Sequence, residues 1–396
     1  MPASPRTARA INDRSALRLL QEQGPLTAGQ LRTLTGLSRP TVADLVERLQ
    51  DSGLVHVVGE TGDRRRGPNA RLYGIVAGRA HLAGLDVRTG SVAVVVTDLL
   101  GATLAEASLP MEGHDNGAAV ERAVGLLERT AAGAGARRLH TVGVGAPGLI
   151  DPATGELRDS ASLPAWHRRL VPALQERLHA RVLVENETNL AAVAELREGA
   201  ARDRDTFVLL WLGHGVGAAV LLDGRLRRGA SGGAGEIGFL PVPGTGGLPS
   251  ATDCGGGFHA LAGSAAIASL AEEYGIGTDA GPDGEPGGEP PGAVAVRRAV
   301  ATGAGGFLDA LAGRLALGAA AVGAVLDPGC VVLGGETGHA GGPALAARVE
   351  ERLAALSPLR TEVRAGALGG AAVLRGALLT ARDAAQDELF SPAATP

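Results

Sequence analysis

A repeated strand–turn–strand unit constrains the fold of this 396-residue chain more than any other feature. Its first copy, residues 81–107, alternates three apolar, β-branched runs with two turns. Its second copy, residues 207–228, has the same order and contains Asp-Gly between apolar runs, a strong hairpin signal. Residues 118–131 and 163–178, between the copies, have helix-like patterns. We therefore predict two related α/β lobes that face one another.

The composition excludes several classes of protein. Apolar residues make up 45% of the chain, which is enough for a sizeable core, and aromatic residues only 2%, which excludes an extended stacking platform. Cys254 and Cys330 build neither a disulfide framework nor, by themselves, a metal site. The longest apolar runs, such as residues 315–326, are shorter than the roughly 18 residues of a membrane span. With no secretory signal visible, we predict a cytoplasmic protein without a membrane partner.

Charge is unevenly distributed along the chain. Residues 1–80 contain 12 Arg and 7 acidic residues, whereas residues 81–396 contain 25 Arg and 35 acidic residues. The first part therefore has a net charge of +5 and the remainder −10. A basic N-terminal part on an acidic body predicts that any surface for a polyanion lies at the N-terminus. The alternative is chance clustering of solvated charges.

The first 76 residues have the pattern of a winged helix-turn-helix domain. Thr27 and Gln30 match a capping box, which begins a helix over residues 28–35. Ser38 then caps a second helix that runs to about Ser52 with one apolar face. Apolar runs on both sides of an Arg-rich turn, residues 59–69, predict a β-hairpin after these helices.

In such a motif the second helix places its N-terminal side chains against base edges, and an Arg-rich wing suits phosphates or a narrow minor groove. The alternative is a small helical packing domain with a solvated Arg loop. The predicted partner is double-stranded operator DNA. The predicted DNA-binding residues are Thr27, Ser38, Arg39, Pro40, Thr41, Arg64, Arg65 and Arg66.

Three Gly-containing turns follow apolar strands, at residues 89–90, 213–217 and 334–335. Gly allows a backbone to approach a phosphate and present its N–H groups. In a chain with 61 Gly, turns of purely steric origin are the alternative.

An ordered series of segments resembles the ROK family, which groups sugar-responsive repressors, uncharacterised reading frames and sugar kinases. The resemblance covers nearly the whole chain and includes the N-terminal domain of the repressor branch. The matching segments are Gly84-Leu-Asp-Val-Arg-Thr89, Gly143-Val-Gly-Ala-Pro-Gly-Leu-Ile-Asp151, Val184-Glu-Asn-Glu-Thr-Asn189, residues 224–238 and Asp327-Pro-Gly-Cys-Val-Val-Leu-Gly-Gly335.

This resemblance implies an α/β fold with a two-lobed, actin- and hexokinase-like (ribonuclease H-like) body preceded by the winged helix-turn-helix domain. The predicted domains are residues 1–76 for DNA binding, 80–198 for the first lobe, and 199–396 for the second lobe. The C-terminal helices are expected to return to the first lobe.

Several departures from the family pattern bear on activity. The first phosphate motif keeps Thr89 but lacks both glycines, which argues against tight ATP binding. Glu187 replaces the catalytic Asp and is one methylene longer. Phe239 replaces a sugar- or zinc-binding His, and small or apolar residues near Ala260 replace a sugar-contacting Glu. The zinc motif keeps only Cys254, with His259 nearby, so no metal is predicted.

Amide and carboxylate groups that remain in the cleft suit a sugar or phosphosugar. The alternatives are that Asn186 only caps the helix that follows it and that Glu236 is a solvated loop charge. The predicted sugar-binding residues are Pro147, Gly148, Asn186, Glu187 and Glu236. In a kinase, Glu187 would be the catalytic base, and the phosphate-binding residues would be Asp86, Thr89, Gly213, Gly215 and Gly217. Asp86 is alternatively a structural carboxylate.

Three hypotheses follow. The first is a ROK-type transcriptional regulator, most simply a repressor, that acts as a homodimer or tetramer, responds to a sugar and needs no cofactor. The second is a sugar kinase that uses ATP and magnesium. The third is a regulator that has lost its small-molecule ligand and responds to a protein partner.

Overall fold

The computed structural model describes residues 5–61, 70–111, 116–158, 164–250, 252–278 and 289–390. The predicted wing residues Arg64, Arg65 and Arg66 lie outside this part of the chain.

The N-terminal domain consists of three helices and a small sheet. Its elements are α1 (Pro5–Gln23), β1 (Leu26–Thr27), α2 (Ala28–Thr35), α3 (Arg39–Asp51), β2 (Val55–Thr61) and β3 (Ala70–Ile75). The strands are antiparallel in the order β1-β3-β2. Leu17, Leu31 and Leu45, one from each helix, are at most 1% exposed and form its core. The arrangement is a winged helix-turn-helix, as the sequence predicts.

The first lobe is a five-stranded mixed sheet with helices. Its elements are β4 (His81–Val87), β5 (Ser91–Asp98), β6 (Thr103–Pro110), α4 (Asn116–Gly133), β7 (Leu139–Ala146), α5 (Trp166–Arg177), β8 (Arg181–Asn186) and α6 (Glu187–Glu198). The strand order is β6-β5-β4-β7-β8, with β4, β7 and β8 parallel and β4, β5 and β6 antiparallel.

The second lobe repeats this topology. Its elements, with the C-terminal helix, are β9 (Phe207–Leu212), β10 (Val216–Leu222), β11 (Arg225–Arg227), α7 (His259–Ala262), α8 (Ser264–Glu273), α9 (Pro291–Thr302), α10 (Gly305–Leu326), β12 (Cys330–Gly334), α11 (Gly335–Leu356), β13 (Glu362–Ala365) and α12 (Ala372–Leu389). The strand order β11-β10-β9-β12-β13 corresponds strand by strand to that of the first lobe. The predicted fold class, two related α/β lobes, is confirmed.

One helix, α10, is long and apolar enough to cross a membrane by length and composition. The run counted in the sequence, residues 315–326, is only its second half. Phe307, Leu311 and Leu315 are fully buried in the core of the second lobe. Packing inside this lobe accounts for the apolar character of the helix.

Helix α12 packs on the first lobe, although it follows the last strand of the second. It contacts β4, β7 and α6. A Cβ atom at Gly376 would overlap the carbonyl oxygen of Leu190 in α6, and one at Gly143 in β7 would overlap that of Ala377. These glycines therefore allow backbone-to-backbone packing that any larger residue would prevent.

The N-terminal domain packs against the end of the first lobe at which β4 begins. Its core continues into Leu82, Leu99 and Phe390, each at most 5% exposed. The Gln386 side chain donates a hydrogen bond to the carbonyl oxygen of Leu99 at 3.1 Å. Arg14 in α1 forms an ion pair with Asp387 in α12. The domain thus shares an apolar core with the body.

Candidate functional site

Two polar caps set the geometry of the helix-turn-helix. Thr27 Oγ1 accepts a hydrogen bond from the Gln30 backbone N–H, and the Gln30 side chain accepts one from the Thr27 N–H at 2.9 Å. Ser38 Oγ accepts from the Thr41 N–H at 3.3 Å and lies 2.8 Å from Thr41 Oγ1. Both caps satisfy backbone donors that the first turn of a helix leaves unpaired. They fix where α2 and α3 begin.

The N-terminal end of α3 is available to a ligand. Ser38, Arg39 and Pro40 are exposed, and Thr41 is half-buried. In the part of the chain that the structure describes, Arg39 has no hydrogen-bond or ion-pair partner. Val42 and Leu45, on the opposite face of α3, are buried in the domain core. Thr27 and Ser38 differ from Arg39 because their side chains are engaged in helix caps.

A second candidate site is a cavity of about 290 Å³ between the two lobes. Its walls come from the loops after β4, β7 and β9 and from the first residues of α6 and α11. The residues that line it are Arg88, Thr89, Pro147, Glu187, Trp211, Gly213, His214, Gly215 and Glu336.

One arginine connects both lobes at the edge of this cavity. Arg88 Nε donates to Asp86 Oδ2 at 2.9 Å, and Nη1 donates to Glu336 Oε1 at 2.6 Å. Nη2 donates to the carbonyl oxygen of Gly370 at 2.9 Å, just before α12 begins. We call these four groups the Arg88 cluster. A planar guanidinium can serve three acceptors in this way, whereas an ammonium group presents no such fixed fork.

Burial among carboxylates alters proton binding in the cavity. Removal from water, reinforced by the nearby negative charge of Asp86, raises the pKa of Glu187 to about 8. Burial also raises the pKa of Asp86, against the opposing effect of Arg88. Within the described part of the chain, Asp86 Oδ1 is buried and has no hydrogen-bond partner. Glu187 is therefore largely protonated at neutral pH and can donate as well as accept a hydrogen bond.

The predicted sugar-binding residues lie close together but have different surroundings. Pro147 and Glu187 line the cavity. The Asn186 amide donates to the Gly148 carbonyl oxygen at 2.9 Å, while its own oxygen accepts from the Thr188 N–H at 2.8 Å. Asn186 thus caps α6 and holds the loop that contains Gly148. Glu236 is exposed, and its negative charge adds to the rise in the pKa of Glu187.

The residues predicted to bind phosphate in a kinase are only partly brought together. Thr89, Gly213 and Gly215 line the cavity. Asp86 is 4% exposed and lies behind Arg88. Gly217 pairs with Trp211 inside the β9–β10 ladder and does not line the cavity.

Sequence reasoning missed four residues that line the cavity: Arg88, Trp211, His214 and Glu336. Arg88 was noted only as a replacement for Gly. Glu336 directly follows the Gly334-Gly335 turn, Trp211 lies two residues before Gly213 and His214 directly after it, so their proximity to Gly-rich turns was the available signal. Their convergence depends on how the two lobes meet.

The segment that resembles a zinc motif does not fit a zinc ion. Cys254 is its single thiol, and His259 is the nearest imidazole along the chain. A structural zinc site normally needs four ligands. Among the described residues, no group of three or more His, Cys, Asp or Glu side chains is arranged to hold a metal ion.

The fold and the cavity define a class of protein: a winged-helix domain joined to a two-lobed body like that of sugar kinases. A family model described as the ROK family matches residues 82–384, and one described as the MarR family matches residues 12–66. The chain belongs to the ROK family.

Curated relatives include regulators. The chain is 26% identical over 238 residues to the xylose repressor of Bacillus subtilis and 28% identical over 247 residues to the DNA-binding transcriptional dual regulator NagC of Escherichia coli. Each alignment covers 59% of this chain. The chain spans 60% and 57%, respectively, of the lengths of these relatives.

Solved structures agree with this fold. A ROK family transcriptional regulator, described as a homologue of the Escherichia coli MLC protein, superposes with a TM-score of 0.74, covering 97% of this chain and 98% of that one at 22% identity. A ROK family glucokinase from Streptomyces griseus, in complex with glucose and AMPPNP, gives a TM-score of 0.62 over 77% of this chain and 100% of that one at 25% identity. The match to the regulator covers nearly all of this chain, whereas the match to the glucokinase covers about three quarters of it.

Proposed function

We propose that this protein is a DNA-binding transcriptional regulator, most simply a repressor, that responds to a sugar or phosphosugar in the inter-lobe cavity. One observation carries the proposal: at the start of α3, in a winged-helix domain packed on a sugar-kinase-like body, Arg39 is exposed and has no partner among the described residues. The names of the repressor relatives support it. The proposed roles, binding of DNA and of a metabolite, support a cytoplasmic location, and neither role requires a cofactor.

The chemistry of the cavity suits a polyhydroxylated ligand. Thr89 offers a hydroxyl group, Glu187 a carboxyl group that exchanges a proton near neutral pH, and His214 an exposed imidazole. Trp211 supplies an apolar surface. Each sugar hydroxyl both donates and accepts hydrogen bonds, so such a mixed lining can satisfy it.

DNA binding is proposed to involve a symmetric oligomer. Helix-turn-helix domains read half-sites about 34 Å apart on the same face of DNA, which requires two copies related by a two-fold axis. We propose a homodimer, or a tetramer built from two such dimers.

The first test replaces Arg39 with alanine. A DNA site is first selected from a panel of genomic fragments with the full chain, and binding is then measured by fluorescence anisotropy at two salt concentrations. Arg39→Ala is expected to weaken binding to the selected site about tenfold or more, because base-edge contacts of arginine contribute about 1–3 kcal/mol.

Arg360→Ala is the matched control, since Arg360 is an exposed arginine of the second lobe and the charge change is identical. It is expected to bind the selected site as the parent protein does. Equal loss in both variants, or no salt-dependent binding of any fragment, would refute the proposal.

A sugar kinase is the second candidate, because Thr89, Glu187 and Gly213 line one cavity. The Arg88 cluster argues against a kinase. Beside the loop that would hold phosphate, the charge of the Arg88 guanidinium is already balanced by the carboxylates of Asp86 and Glu336. Consumption of ATP in the presence of magnesium, measured over a panel of hexoses and N-acetylhexosamines, separates the two. ATP consumption that is lost in the Glu187→Gln variant would support the kinase. No ATP consumption with any sugar of the panel would reject it.

A further inference from the structure

We propose that β4 and α12 form one coupling unit between the inter-lobe cavity and the N-terminal domain, and that Arg88 holds the cavity end of this unit. The regulatory meaning of the coupling rests on the proposed function, whereas the mechanical connection does not. The two elements pack against each other over the first lobe.

Both β4 and α12 extend between the inter-lobe cavity and the N-terminal domain. The 18 residues of α12 span about 27 Å, and the seven residues of β4 span about 23 Å. β4 begins at the N-terminal domain and ends one residue before Arg88. α12 runs the opposite way, from two residues after Gly370 to the N-terminal domain.

At the distant end, both elements belong to the core of the N-terminal domain. Leu82 of β4, Ala385 of α12 and Phe390 directly after it are at most 5% exposed within that core. The Gln386 side chain of α12 also donates a hydrogen bond to the carbonyl oxygen of Leu99, which directly follows β5 and belongs to the same core. Any displacement of this end must therefore be accommodated by α1, α2 and α3.

At the cavity end, Arg88 joins the two elements to the second lobe. Asp86 belongs to β4, the Gly370 carbonyl oxygen precedes α12, and Glu336 lies in the first turn of α11. Arg88 donates a hydrogen bond to each of them at 2.6–2.9 Å. Arg88 also lines the cavity, so a ligand there competes for or repositions the same guanidinium.

Between its ends the unit has little freedom to deform. Gly376 of α12 lies so close to the Leu190 carbonyl oxygen of α6 that a Cβ atom would overlap it. A Cβ atom at Gly84 of β4 would lie 2.8 Å from the Leu378 side chain of α12. Close-packed interiors transmit a shift as a rigid displacement rather than absorb it. A ligand that binds more tightly to one position of the Arg88 side chain than to another would thereby shift the position of the N-terminal domain.

The test is hydrogen–deuterium exchange of the full chain, with neither DNA nor sugar, in the parent protein and Arg88→Ala. We expect exchange to rise about tenfold both in the first turn of α12 and in the amides of α1 and α3, because the lost hydrogen bonds lower the local opening free energy of the connected unit. A rise confined to the residues around Gly370 would overturn the proposal.

Arg364→Ala is the matched control. The Arg364 side chain is 22% exposed and that of Arg88 25%, and Arg364 also bonds two acidic residues and a backbone carbonyl, but within and near β13. It should leave exchange in α1 and α3 unchanged. An equal rise in the control would show general destabilisation and would overturn the proposal.

A reciprocal variant keeps the proposal testable if Arg88→Ala does not fold. Phe390→Leu loosens the distant end of the unit, and coupling free energies act equally in both directions. Faster exchange at residues 88–92 and 369–375 is expected. Unchanged exchange there would refute the coupling. Because the readout needs no operator, absence of DNA binding would refute only the proposed function.

Discussion

Arg88 shows how a single side chain can redefine a cavity. The family motif has glycine where backbone N–H groups meet phosphate, and here a guanidinium points across the cleft to Glu336. Its positive charge is matched by Asp86 and Glu336, so little of it remains for an anionic ligand. We therefore expect the cavity to suit hydroxyl groups better than a nucleoside triphosphate.

Glu187 gives the first prediction at this scale. Its pKa is about 8 in the folded protein and 4.5 in an ordinary carboxyl group, so the folded state binds more protons between these values. The contribution of Glu187 to the free energy of unfolding must therefore fall as pH rises through this window and level off above pH 8. Glu187→Gln cannot ionise. Relative to the parent, we expect its free energy of unfolding to rise by about 3–4 kcal/mol between pH 5 and pH 8, measured by urea unfolding.

Glu351→Gln, at an exposed position of α11, is the control for this pH series. Its free energy of unfolding should follow that of the parent protein at each pH. Parallel curves for Glu187→Gln and the parent would contradict the assignment of a raised pKa to Glu187.

At the scale of elements, the local signals were sufficient for the N-terminal helices. The capping box at Thr27 and the cap at Ser38 place the starts of α2 and α3 exactly where the sequence pattern does. β2 continues to Thr61, although the sequence pattern predicts a turn from residue 59. The end of a strand is specified only weakly by local sequence.

The contact between α12 and α6 gives the element-scale prediction. Gly376→Ala introduces a Cβ atom that overlaps the backbone of Leu190, so the two helices must separate. We expect a loss of about 2–4 kcal/mol in the free energy of unfolding, measured by urea denaturation.

Gly313→Ala is the matched control, because Gly313 lies inside helix α10 and a Cβ atom there meets no atom within 4 Å. Alanine has the higher helix propensity, so this variant should be stabilised by up to about 1 kcal/mol. Similar stability of the two variants would contradict the close packing of α12.

At the scale of the whole molecule, the charge division coincides with the domain arrangement. Residues 1–80, with a net charge of +5, include the winged-helix domain, and the acidic remainder includes both lobes. An acidic body repels DNA, so under the proposed function we expect a duplex to approach the N-terminal domain.

Half-site geometry gives the whole-molecule prediction. If two copies bind one operator, five base pairs inserted between the half-sites rotate one of them to the opposite face of the duplex. We expect at least about tenfold weaker binding in a gel-shift assay. Ten inserted base pairs return both half-sites to the same face of the duplex and should restore binding. A mass of one chain in light scattering, or equal binding at all spacings, would contradict the proposed dimer.

Much of the architecture was predictable because its signals are local. Alternating apolar runs and Gly-containing turns predicted both copies of the strand unit, and the ROK motifs predicted the two-lobed body, which the structure and the family match confirm. The candidate site was predicted only in part. Asn186 was identified from its motif, but its hydrogen bond to Gly148 joins residues 38 positions apart and has no local signature.

By itself, the sequence determined the helix caps, the order of strands within each copy and the charge division, because each depends on neighbouring residues or on composition. The tertiary structure decided the union of Arg88, Glu336 and Gly370, since Arg88 is 248 and 282 positions from its partners in the second half of the chain. It also decided that α12 connects this cluster to the N-terminal domain. Such contacts arise only when two lobes and the C-terminal helix pack together, and no local pattern specifies that packing.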